Sequence, residues 1–150
     1  MTDTMALAQK ITVIASLAFF MLGLLGGVWK YAKIRTSADG QAPVYVDVFH
    51  RSTLLYAFAC VLLERMVELS ELPALVELLA LAGLIGFFGF AVFGYALHGW
   101  LEDTDNQLRR PYRLGRSELA PAIVHGSMAA LVVAEIGGFV VLAVGVIAAL

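Results

Sequence analysis

From Leu78 to Leu101 the chain runs for 24 residues without a formal charge, and from Ile11 to Trp29 it does so for 19. A bilayer hydrocarbon core about 30 Å thick needs roughly 20 helical residues to cross it. Two stretches of this sequence are therefore long enough to span a membrane as helices. Composition points the same way. Only 15% of the 150 residues are charged and 61% are hydrophobic, against roughly 25% charged in an average soluble domain. A soluble globule this small has a large surface to cover with polar groups. A soluble enzyme, a disordered chain and a collagen-like chain are excluded. The formal net charge of -2 and an isoelectric point near 5.9 leave no electrostatic footprint for nucleic acid. Cys60 is the single cysteine, which excludes an intramolecular disulfide and a Cys-based metal cage.

Four spans are expected, at about 11–29, 46–69, 73–101 and 119–150. They make one integral membrane domain, an all-α four-helix transmembrane bundle. Lys10 and Lys30 bound the first span, with Trp29 and Tyr31 at the interface. Its basic flank, Lys30, Lys33 and Arg35, offers no small-residue cleavage site and reads as stop-transfer, so the span is retained rather than removed as a signal peptide. The second span has only Ser52 to Leu63 free of charge and borrows polar ends. Such ends must face protein or a cavity, which places this helix inside. Pro73 and Pro121 suit first helical turns. The first and third loops hold Lys30, Lys33 and Arg35, then Arg109, Arg110, Arg113 and Arg116, whereas the opposite face has chiefly Lys10 and Arg65. The positive-inside rule makes both basic loops cytoplasmic and both termini external.

Ionisable groups at membrane depth are costly, so each is a candidate functional residue. His50 opens the second span. Glu64 and Glu68 return to its side of the helix, with Ala57 and Val61 between them. His50 can ligate a metal or haem iron, or hydrogen-bond to another helix. In the third span Tyr95, His98 and Glu102 stand at i, i+3 and i+7, with Glu77 five turns earlier. They either line a polar pocket at the cytoplasmic end or pack at the interface. Glu135 lies in the middle of the fourth span, as a proton carrier, an ion-pair partner or a cross-helix hydrogen bond. His125 is expected at the interface. Gly23, Gly26 and Gly27, and Gly83, Gly86 and Gly89, admit close helix packing or a ligand against bare backbone. The arginines from Arg109 to Arg116 are topogenic, or one pairs with an anionic cofactor or lipid head. Asp103 and Asp105 are too isolated to mark a metal site. No Gly-rich phosphate loop and no His-x-Glu or Cys-x-x-Cys zinc signature is present.

This plan resembles the styrene oxide isomerase family, small four-helix membrane proteins that form trimers with ferric haem b between subunits. The similarity covers most of the chain as a helix plan. Its sharpest part is a His at the start of the second helix and a Tyr 45 positions later in the third, matched here without a gap by His50 and Tyr95 within Phe93-Gly94-Tyr95. The resemblance implies that His50 is the axial ligand, that Tyr95 contacts a small hydrophobic epoxide, and that the chain is a homotrimer in a bacterial inner (plasma) membrane. The implied activity is Lewis-acid opening of an aryl epoxide and a 1,2-hydride shift to an aldehyde. The family has an Asn six residues after its His, where this chain has Tyr56. A phenol still donates a hydrogen bond, but it is bulkier. Arg51 or Arg65 would neutralise the haem propionates.

Two other readings stand beside it. A His-Arg pair at a helix start is similar to the microsomal glutathione transferases, but His50-Arg51-Ser52-Thr53 lacks that family's Glu and Asn. The other is a non-catalytic accessory subunit of a membrane complex, with or without haem, whose polar stripes are docking surfaces.

Overall fold

A computed structural model describes residues 7–150. Its elements are α1 (Leu7–Thr36), α2 (Val44–Leu69), α3 (Ala74–Leu101), β1 (Arg113–Leu114), β2 (Ser117–Glu118) and α4 (Pro121–Ala149). All four helices are long and apolar enough to cross a membrane. The chain is an all-α, multi-pass membrane bundle whose outer faces suit a lipid bilayer.

The helices outrun the charge-free stretches. α1 has 30 residues, or about 45 Å at 1.5 Å per residue. It continues past Trp29 through Lys30, Lys33 and Arg35, and the last two lie in its final turn. Cations there complement the negative end of the helix dipole. The uncharged run therefore marks the part of α1 that suits lipid, not the length of the helix. Pro73, expected in the first turn of α3, is its N-cap instead, because its ψ of 134° is extended. Pro121 does begin α4. α3 stops where Glu102 turns left-handed at φ 49° and its N–H closes on the His98 carbonyl at 2.9 Å.

The two basic loops share one end of the bundle. Lys33 pairs with Glu102 there, and the Gln107 N–H donates to the Tyr45 hydroxyl at 2.6 Å. At the other end, the α4 backbone at Gly145 lies against Ser70 and Leu72 of the α2–α3 turn. α2 and α3 form the centre, each touching the three other helices. Cys60 and Leu63 of α2 and Leu81 and Leu84 of α3 are buried between them. The buried Thr53 hydroxyl donates to the Phe49 carbonyl at 2.7 Å, so it leaves no donor unpaired in an apolar interior. α4 is the least covered, with only Leu142 and Gly145 buried. It meets α3 where Gly83 faces Ala134, and where Gly138 lies so near the Ala80 carbonyl that a Cβ would stand 2.9 Å from it.

The third loop contains a small antiparallel hairpin that the sequence reading did not foresee. Arg113 pairs with Glu118 and Leu114 with Ser117. Gly115 turns the chain at φ 61°, a conformation in which other residues are strained.

Candidate functional site

His50 sits in the second turn of α2, on the flank that faces α1. Its Nδ1 is 2.8 Å from the Gly23 carbonyl oxygen. A carbonyl only accepts, so Nδ1 carries a proton and donates it, and in the neutral ring the lone pair is on Nε2. Gly27, one turn along α1 from Gly23, gives the ring its space. A Cβ there would lie 3.0 Å from Cε1, 3.3 Å from Nδ1 and 3.7 Å from Nε2. Gly23 and Gly26 likewise bring the α1 backbone against Leu54 and Phe49. The glycines of the first span thus serve a close α1–α2 approach, and one wall of that approach is the imidazole.

Among the described residues no group of three or more His, Cys, Asp or Glu is placed to hold a metal ion directly. A lone imidazole is enough for a group that brings its own donors, as haem does. His50 fits that requirement. A backbone carbonyl fixes the tautomer and orientation of the ring and directs the free lone pair away, which is the usual support of a metal-ligating histidine.

A second polar group is assembled from three helices. The ring of Tyr56 on α2 stacks on Phe88 of α3, with centroids 4.2 Å apart and an interplanar angle of 13°. Its hydroxyl lies near that of Tyr95 on α3, and Glu135 of α4 lies in the same region. Glu135 Oε1 is buried and meets no hydrogen-bond partner among the described residues. Tyr95 also stacks on Tyr45, with centroids 6.0 Å apart. Together with His98 it lines a cavity of about 310 Å³ between α3, the third loop and the first half of α4. Phe90, Phe93, Ile123 and Leu131 make its walls apolar, and Arg113 and Ser127 add polar groups. The size and lining suit a small apolar ligand.

At the floor of this cavity lies a buried His–Asp hydrogen bond. His98 Nδ1 is 2.8 Å from Asp103 Oδ1, and the side chains are 8% and 4% exposed. The other oxygen of Asp103 accepts the Gly115 N–H at 2.5 Å. Burial pushes the Asp103 carboxyl up, but the His98 and Gly115 hydrogen bonds outweigh it and hold the group below the ordinary Asp value. Asp103 therefore ties the hairpin to the end of α3. In the sequence Asp103 reads only as too isolated for a metal site, which says nothing of this contact. The signal was the neighbouring His98 five residues back, once Glu102 is seen to reverse the chain. Glu102 itself turns away to Lys33, so of the expected Tyr95, His98 and Glu102 face only the first two meet the cavity.

The remaining candidates are dispersed. Tyr56 follows His50 by six residues, so the two side chains leave α2 about 120° apart. Arg51 is beside His50 and shares Asp47 with Lys30. Arg65 is fifteen residues from His50, about 22 Å along the axis, and pairs with Glu68 at 2.5 Å. The structure does not bring it to His50. His125 is held by the Tyr112 hydroxyl, 3.0 Å from its Nε2. No protein-family model, curated protein or solved structure matches this chain.

Proposed function

We propose that this protein is a haem-dependent isomerase of a bacterial inner membrane that converts a small aryl epoxide to an aldehyde by ring opening and a 1,2-hydride shift. The observation that carries the reading is the His50 seat: Nδ1 committed to the Gly23 carbonyl, Nε2 left with its lone pair, and Gly27 leaving room for the ring. When bound, ferric haem b supplies a Lewis acid for the epoxide oxygen. His50 would hold the cofactor through Nε2. Tyr95 and Tyr56 orient the epoxide by donating hydrogen bonds to its oxygen, which fixes its approach. The apolar walls around Tyr95 exclude the water that would otherwise divert the opened epoxide to a diol.

The 120° divergence of His50 and Tyr56 gives the proposal a quaternary requirement. His50 opens on the α1–α2 flank, and Tyr95 opens on the α3–α4 cavity. One ligand meets both when the α1–α2 flank of one chain faces the α3–α4 side of the next. Contact between two different faces repeats around an axis and forms a ring where the rotation closes, and the family resemblance makes a homotrimer the expected ring.

The test is the visible spectrum of the protein purified in detergent, with and without His50→Ala, followed by epoxide turnover. A Soret band that is lost in the variant supports the reading. A colourless wild type that haemin does not reconstitute overturns it. The accessory-subunit reading then takes its place, because α4 is thinly covered, as a docking helix would be, and Glu135 Oε1 has no partner among the described residues.

A further inference from the structure

Where the apolar part of α1 ends, a second cavity of about 380 Å³ opens between α1, the turn at 37–43 and the start of α2. Its polar lining is Lys30, Gln41, Asp47 and Arg51, and Ile34 and Val44 form an apolar wall. Lys30 Nζ is 2.5 Å from one oxygen of Asp47, and Arg51 Nη1 is 3.2 Å from the other. Two cations thus share one carboxylate, and the cavity keeps one surplus positive charge. The donors are also in surplus. An ammonium has three and a guanidinium five, and Asp47 takes one from each. The other basic residues of the first loop are engaged elsewhere, Lys33 by Glu102 and Arg35 over the Tyr31 ring at 6.0 Å.

The rim is already built. Asp39 accepts from the Ser37 hydroxyl and from the Gln41 N–H at 3.1 Å, and Gly40 turns the chain at φ 70°. This brings Gln41 to the cavity. The position relative to lipid is equally defined. Lys30 follows Gly27 by three residues, so the cations lie about one helical turn beyond the His50 ring. On the membrane side of them, Leu55 and Phe58 follow Arg51 by four and seven residues on the same face of α2, and both are exposed and apolar. A molecule resting here has an apolar body against Leu55 and Phe58 of α2 and its charged end among Lys30, Gln41 and Arg51.

We infer that this cavity holds the anionic group, a carboxylate or a phosphate, of a membrane-embedded amphiphile. Two sources carry that chemistry: the propionates of a haem seated on His50, and the headgroup of an anionic phospholipid. The site is independent of the isomerase proposal, since the lipid source does not require haem.

The experiment uses the full-length protein, delipidated in a neutral detergent, with two matched pairs of probes. The first pair is haemin and its dimethyl ester, which lacks the carboxylates, followed by Soret absorbance. The second is phosphatidylglycerol and phosphatidylcholine, followed by the thermal midpoint and by native mass spectrometry. The wild type is expected to hold the anionic member of at least one pair about 10-fold more tightly, the worth of one charge-assisted bond. Lys30→Gln with Arg51→Gln should erase that preference, and Lys30→Arg should keep it. A preference in the haemin pair alone assigns the site to the propionates. A preference in the lipid pair alone assigns it to a headgroup, and remains possible where haemin does not bind and the isomerase proposal has failed. No preference in either pair, or one that survives the double substitution, overturns the inference. Arg51→Gln alone, which leaves the Lys30–Asp47 pair intact, carries the same test where the double variant does not fold.

Discussion

Replacing Gly27 with alanine sets two opposing effects against each other at the His50 ring. In a helix interior Gly→Ala normally gains about 0.5–1 kcal/mol from backbone entropy. Here the new methyl would stand 3.0 Å from Cε1 and 3.3 Å from Nδ1 of His50, so the ring must move by a few tenths of an ångström. It is not free to do so, because Nδ1 is held at 2.8 Å by the Gly23 carbonyl. Overpacking costs about 1–3 kcal/mol, and losing the hydrogen bond costs about 1 kcal/mol more. The net expectation is a destabilisation of about 1–3 kcal/mol. Gly86 is the matched control, since a Cβ there meets nothing within 4 Å. Gly86→Ala should be neutral or stabilising. The assay is denaturant-induced unfolding in detergent, and the ¹⁵N chemical shifts of the imidazole report whether Nδ1 remains the protonated nitrogen. Haem retention, where haem binds, should fall with the same substitution. Equal stability of the two variants, with the His50 tautomer unchanged in Gly27→Ala, would refute the reasoning that α1 locks the ring.

Other expectations follow from the remaining contacts. Tyr95→Phe and Tyr56→Phe should each lower kcat/KM for epoxide isomerisation about 3- to 10-fold, the worth of one neutral hydrogen bond, while leaving the Soret band in place; steady-state kinetics on the aldehyde product checks this. Gly145→Ala should destabilise the bundle by about 1–3 kcal/mol, because its Cβ would lie 2.5 Å from both Leu72 Cδ1 and Ser70 Oγ; the unfolding midpoint in detergent reports it. The folded-state value of Asp103 is lowered, so its contribution is complete above the ordinary Asp pKa of about 3.9 and is lost as pH falls through the lower folded value. Thermal stability should therefore hold from neutral pH to about pH 4 and drop below it, and Asp103→Asn should remove that part of the drop.

The four helices were legible because lipid imposes a length and forbids charge, and the sequence carries both marks. Their ends were less so. α1 runs on into Lys30, Lys33 and Arg35, since a helix beyond the membrane needs no apolar residues. The hairpin has two-residue strands, too short for alternation to be seen. At the site, the Tyr95 and His98 face followed from helical spacing alone. The Gly23–His50 bond, the approach of Tyr56 to Tyr95, and the folding back of Asp103 onto His98 did not. Each depends on which helices touch or on one left-handed residue, and periodicity within a single helix contains neither.

The cavity beside Tyr95 has a kinetic consequence. Phe90, Phe93 and Ile123 line it and are themselves exposed on the outer faces of α3 and α4, so its approach runs sideways from the bilayer as well as from the aqueous end. An apolar solute reaches such a cavity after dissolving in lipid, and the concentration that governs occupancy is the one in the membrane phase. Apparent affinity, expressed per volume of buffer, then tracks the solute's oil–water partition coefficient and the amount of lipid present. Two compounds that fit the walls equally well would differ in apparent affinity by the ratio of their partition coefficients.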